Sequence, residues 1–128
     1  MKEPVWVLRK VVFAMQEQSL AQFGGSAGIR DEGLVDSALG KPQNHFAYGK
    51  PDLFELAASY AFGLVKNHPF IDGNKRTGFL VAIVFLELNG YEFCATEADA
   101  AVRTLALAAG EMTEAAFAQW LKANSKRA

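Results

Sequence analysis

Between two apolar stretches the sequence carries a concentrated set of reactive and polar groups, Lys66-Asn67-His68-Pro69-Phe70-Ile71-Asp72-Gly73-Asn74-Lys75-Arg76-Thr77. A histidine, with an ordinary pKa of about 6.5, can take a proton near neutral pH. Asp72 is a hard oxygen ligand of the kind that holds Mg²⁺ already bound to phosphates. Asp72-Gly73-Asn74 favours a tight turn, in which glycine reaches backbone angles closed to other residues. Lys75 and Arg76 add mobile and forked positive charge. A base, a metal ligand, an anion cradle and two cations within nine residues suit phosphoryl or nucleotidyl transfer, which depends on positioning and charge stabilisation. Each residue also has a structural reading: His68 as a hydrogen-bonding side chain, Asp72 as a turn former, Asn74 as a helix cap, and Lys75 and Arg76 as solvated cations.

The elements around this segment must place it. Phe79–Leu86 is apolar on every side and predicts a helix from Asn74 to Leu88 at the centre of a bundle, ended by Asn89-Gly90. The segment then occupies that helix's start, where unpaired N–H groups and the positive dipole end attract phosphate. Upstream, Val5, Leu8, Val12, Met15, Leu20 and Phe23 predict one amphipathic helix from Val5 to Phe23, stopped by Gly24-Gly25. Gly24–Gly28 lacks the Lys-Ser/Thr of a P-loop and reads as a helix stop. Asp31 caps a short helix through Leu39, closed by Gly40 and Pro42. His45–Lys50 reads as a loop or short hairpin, and Asp52 caps a helix from Leu53 to Asn67. Tyr91–Ala95 is briefly extended. Thr96-Glu97-Ala98-Asp99 resembles a capping box opening a helix to Ala109. A last helix from Thr113 turns Phe117, Trp120 and Leu121 inward, and Lys122–Ala128 is a polar, solvated tail.

Composition sets bounds. A chain of 128 residues, 51% hydrophobic and 21% charged, fits a single domain over residues 1–128 and an ordinary core. Thirteen basic against fourteen acidic residues give a net charge of -1, without the basic stripe that drives direct nucleic-acid binding. Cys94 alone forms no internal disulfide and reads as a small buried apolar residue. No export signal or membrane-length apolar run is visible, so the expected location is cytoplasmic, with no membrane partner.

His68-Pro-Phe70-x-Asp72-Gly73-Asn74-Lys75-Arg76 resembles the signature of the Fic/Doc superfamily, His-x-Phe-x-Asp/Glu-Gly-Asn-Gly/Lys-x-x-Arg. The likeness extends from about Gly24 to Gly110. Gly24-Gly25, Gly28-Ile29-Arg30-Asp31-Glu32-Gly33, Ala47-Tyr48, Asp52-Leu53-Phe54-Glu55, Asn74-Lys75-Arg76-Thr77 and Asn89-Gly90 resemble the death-on-curing (Doc) branch. The fold implied is all-α, a compact helical bundle with at most a small β-hairpin flap. Two positions depart from the broader Fic pattern: Lys75 replaces its second Gly and Phe79 its final Arg. A lysine there crowds the pose used for AMP transfer, and phenylalanine cannot hold phosphate.

The Doc resemblance implies instead a toxin kinase. ATP would give its γ-phosphate to a protein hydroxyl, a threonine of elongation factor Tu, and translation would stop. His68 and Asp72 would be catalytic, with Asp72 also holding Mg²⁺. Lys66, Gly73, Asn74, Lys75 and Arg76 would bind the nucleotide, Lys66 standing where the branch tends to carry an Arg. The flap would be His45, Phe46, Ala47, Tyr48, Gly49 and Lys50, pairing with an extended target segment by strand addition. No Glu follows Ser or Thr by four residues, as the inhibitory helix of many Fic proteins requires. The resemblance therefore implies inhibition by a small separate antitoxin whose C-terminal segment folds on binding. A Fic-type adenylyltransferase and a non-catalytic module with a vestigial anion site stay open as alternatives.

Overall fold

The computed structural model describes residues 2–128. Its elements run α1 (Arg9–Phe23), α2 (Glu32–Tyr48), α3 (Leu53–Asn67), α4 (Asn74–Leu88), β1 (Tyr91–Phe93), α5 (Glu97–Ala109), α6 (Glu114–Ala123) and β2 (Ser125–Arg127). The architecture is the expected all-helical bundle, with one two-stranded sheet. No helix among the described residues is long and apolar enough to cross a membrane.

Local signals set most of the helix starts. The Asp31 carboxylate accepts from Leu34 N–H, Thr96 Oγ1 from Asp99 N–H, and Thr113 Oγ1 from Ala116 N–H. At α3 the box is complete: Glu55 N–H donates to Asp52 (2.8 Å) and Asp52 N–H donates back to Glu55 (3.0 Å). At α5 only the threonine half of the box forms, because Asp99 turns its carboxylate to Trp120 Nε1 (2.8 Å) and Arg103 (3.2 Å).

Helix α1 begins four residues later than its apolar spacing predicts. Asn89 holds residue 5 extended, accepting Val5 N–H and donating to Val5 C=O, while Val7 N–H donates to the buried Tyr60 hydroxyl. The face that α1 buries is Val12, Gln16 and Ser19, and Leu8 and Phe23 are exposed. Helix α2 runs through Gly40 and Pro42 to Tyr48, so His45–Tyr48 is helical rather than a hairpin. Pro42 cannot donate to the carbonyl one turn back. It is nonetheless buried on the same face as Val35 and Ala38, and that packing carries the helix past its punctuation.

The most enclosed helix is α3, not α4. Leu56–Ala61 is buried without interruption, whereas Phe79, Leu80, Ile83 and Val84 of α4 stay partly exposed. Gly78 lets the two helices close up: a Cβ there would meet Val65 Cγ2 at 3.0 Å and the Ala61 carbonyl oxygen at 3.1 Å. Around the C-terminal elements Phe79, Phe93, Phe117 and Trp120 pack edge-on or tilted, with Trp120 and Phe93 centroids 5.2 Å apart. The tail is not free. Ser125–Arg127 pairs antiparallel with Tyr91–Phe93, and Ala128 N–H donates to Gly90 C=O. Cys94, the residue after β1, is exposed rather than buried, as is Glu92 within the strand.

Burial pushes the Tyr60 hydroxyl up to about 12, against an ordinary value of 10.0, while the Val7 N–H works in the opposite direction. The neutral phenol is therefore favoured in the folded state. Its contribution is fully present below pH 10 and is lost as pH rises towards 12. Thermal melts should accordingly fall over that window, and less steeply for Tyr60→Phe. A decline of equal slope in both proteins would remove Tyr60 from the alkaline transition.

Candidate active site

Helix α3 ends at His68, whose φ of 52° and ψ of 53° make it the one non-glycine residue at positive φ among those described. The chain leaves the helix sharply and lifts the imidazole, which is exposed, away from the core. This left-handed conformation costs energy that the surroundings must offset. Arg30 supplies much of the hold: its Nε donates to His68 C=O at 2.7 Å and its Nη2 to Asn67 C=O at 2.8 Å. Arg30 and Asp31 N–H groups both donate to Pro69 C=O, Ile71 N–H donates to Gly28 C=O, and Ile29 bridges Phe70. Residues 28–31 thus form a short antiparallel splint along 67–71.

Phe70 anchors the splint, fully buried and edge-on to Phe13 with centroids 5.9 Å apart. Asn74 clamps it from the other side, accepting Phe70 N–H and donating to Phe70 C=O, each at 2.9 Å. At 3% exposure, this side chain is occupied within the turn, and it neither caps α4 nor reaches outward as a phosphate ligand. What Asn74 offers an anion is its backbone N–H.

Gly73, with φ 82° and ψ 14°, is the N-cap of α4, and no side chain satisfies the first N–H groups of the helix. Helices α2, α3, α5 and α6 all carry a side-chain cap. Helices α1 and α4 lack both a cap and an acidic residue in the first turn, and of these two starts only that of α4 opens into the cavity lined by His68 and Asp72. An uncapped, positively charged helix start is an anion site in waiting. Asp72 stands beside it, exposed, its Oδ2 accepting Ser26 N–H at 2.7 Å.

His68, Asp72, Gly73, Asn74, Lys75 and Arg76 line one cavity of about 670 Å³. Its other walls come from Gln18, Gln22 and Phe23 of α1 and from one face of α5. The Arg76 guanidinium lies over the Phe23 ring, 3.4 Å from its centroid, a cation–π contact between two walls of the cavity. A single exposed carboxylate beside an uncapped helix start fits Mg²⁺ arriving on phosphates, since that ion keeps waters and needs only one or two protein carboxylates. Among the described residues no group of three or more His, Cys, Asp or Glu could hold a metal by itself.

Two expected contributors lie elsewhere. The Lys66 ammonium donates to Ala108 C=O at 3.2 Å, at the C-terminal, negative end of α5, and does not line the cavity. The segment His45–Lys50 does not line it either. Phe46 packs edge-on to Trp6, which stacks on Phe85. Twelve residues along α4 from Gly73, Phe85 is about 18 Å away at the usual helical rise. Arg30, Ser26, Phe23 and the α5 wall belong to the site as well, although nothing in the sequence marks them for it. Arg30 and Asp31 stood inside the quoted Gly28–Gly33 stretch, but their partners are about 38 residues away and leave no local signal.

The Fic/DOC family matches this chain over residues 6–86. Over 112 residues the chain is 31% identical to the "Protein kinase doc" of Escherichia phage P1, covering 87% of this chain and 88% of that protein. It is 42% identical over 76 residues to the "Toxin Doc" of Mycolicibacterium smegmatis, covering 57% of this chain and 58% of that relative. The family match takes in the splint, the His68 turn and nearly all of α4, and both relatives carry the Doc name: the chain belongs to the Fic/DOC family, in its Doc branch.

Proposed function

We propose that this protein is the toxin of a toxin–antitoxin pair and transfers the γ-phosphate of ATP to a hydroxyl of a target protein. The observation that carries the reading is the uncapped start of α4, opening with Lys75 and Arg76 into the same cavity as the exposed His68 and Asp72. His68 removes the proton of the target hydroxyl. That oxygen attacks the γ-phosphorus, the bond from phosphorus to the bridging β–γ oxygen breaks, and ADP departs. The N–H groups at the α4 start, together with Lys75 and Arg76, hold the phosphate oxygens as negative charge shifts between them. Mg²⁺, held by Asp72, would add charge neutralisation at the phosphates. The names of the two relatives support the kinase and toxin elements of this reading, and the expected target is a threonine of elongation factor Tu.

The partner that restrains the toxin is a small antitoxin whose C-terminal segment folds on the surface. Adenylyl transfer is the competing chemistry in the same site, and Lys75 argues against it by filling space at the helix start where nucleotide phosphates would lie. Intact-mass spectrometry of elongation factor Tu, incubated with this protein, ATP and Mg²⁺, separates them. A gain of one phosphate is expected. A gain of one AMP would replace the kinase reading. An unmodified factor, with another lysate protein phosphorylated, would move the target but keep the chemistry. Lys75→Gly should weaken ATP binding by about tenfold, the scale of one lost charge-assisted contact. Unchanged affinity in calorimetry would reduce Lys75 to a solvated cation.

A further inference from the structure

The cavity has two chemically unlike ends. One is the charged start of α4. The other is the face of α5 that carries Ala98, Ala101, Thr104 and Leu105, with Phe79 and Leu80 of α4 beside it and the exposed Glu97 at the N-terminal edge of the wall. The spacing of three and four residues puts this set on one side of the helix. The small side chains of Ala98 and Ala101 keep that wall low and flat.

Thr104 is the anomaly in it. The residue is 5% exposed, and its hydroxyl bonds to nothing. A threonine within a helix ordinarily returns its hydroxyl to the carbonyl one turn back, here Ala100, and Thr104 does not. A buried hydroxyl without a partner is a standing cost, recovered only when something supplies one.

We infer that the α5 end is a nucleobase subsite in which Thr104 supplies the polar contact to the base edge. This rests on the proposed use of a nucleoside triphosphate. Such a molecule is charged at one end and planar and apolar, with a polar edge, at the other. The cavity repeats that order from Gly73 to Thr104. Phosphates lie on the α4 start, and the base lies against Phe79, Leu80 and the α5 alanines. A hydroxyl can donate or accept, so Thr104 meets whichever group the base edge offers after a rotation about χ1.

Calorimetry with two probes, ATP and inorganic tripolyphosphate, tests this, because the second has the anion and no base. The parent protein should bind ATP at least tenfold more tightly than tripolyphosphate. Thr104→Val, which keeps the shape and removes the hydroxyl, should weaken ATP about tenfold and leave tripolyphosphate unchanged, with a melting temperature no lower than the parent's. Thr104→Ser should restore ATP binding. Equal affinity of the parent for both probes, or an unaltered ATP affinity in Thr104→Val, would overturn the subsite while the phosphate site stands. Failure of the parent to bind either probe would take away the nucleotide reading itself, and the subsite with it.

Discussion

Replacing His68 with alanine is expected to lower phosphate transfer by about 10²–10⁴-fold, the usual contribution of a positioned general base. The imidazole is exposed at the cavity wall and makes no hydrogen bond that holds the fold, so its loss should leave the melting temperature nearly unchanged. What keeps the turn in place is main chain: the His68 and Pro69 carbonyls receive Arg30 and its neighbour's N–H groups whatever side chain stands at 68. The left-handed backbone gives a second control. His68→Gly should be as inactive as His68→Ala and about 1 kcal/mol more stable than it, since glycine adopts φ of 52° without a Cβ penalty. Transfer retained within threefold in both variants, measured at equal protein and saturating ATP, would remove His68 from the chemistry.

Asn74→Ala should be the most damaging substitution for stability among the polar residues of the motif. The side-chain amide satisfies both Phe70 N–H and Phe70 C=O, and Phe70 is fully buried. Truncation leaves a donor and an acceptor unpaired in the core. At about 1–3 kcal/mol for each orphaned group, a loss of roughly 2–6 kcal/mol in unfolding free energy follows. Activity should fall with it, because Phe70 is the anchor between His68 and Asp72. Denaturant titration distinguishes this from a phosphate-binding role. A variant as stable as the parent but weak in ATP binding would return Asn74 to the ligand set.

The parts of this structure that were legible from sequence are those whose causes are local. Asp31, Asp52, Thr96 and Thr113 cap helices through bonds to residues three positions on, so the pattern and the interaction share one short window. The crowding of His68, Asp72, Gly73, Lys75 and Arg76 into one cavity was legible for the same reason, since one turn and one helix start carry all five. Long-range packing decided the rest. Gly40 and Pro42 read as stops, but burial of Pro42 extends α2 through the segment taken as the flap. Lys66 reads as a cavity cation, yet the end of α5 draws it away. Asn74 was visible as a polar residue at a helix start, and only the position of Phe70 reveals which way its amide turns. The polar tail reads as solvent-exposed, and its pairing with Tyr91–Phe93 depends on where α5 and α6 return the chain.

The Trp120 indole deserves a spectroscopist's view. It is 7% exposed, hydrogen-bonded to Asp99 on α5 and tilted against Phe79, which lines the cavity. The sequence has two tryptophans, and the other, Trp6, lies beside Phe46 and Phe85 near the far end of α4. In a Trp6→Phe background Trp120 becomes the sole indole emitter, with one contact to each of the two helices that flank the cavity. Occupancy then reads out as a change in emission wavelength or lifetime, giving a label-free optical signal for whatever enters between α4 and α5.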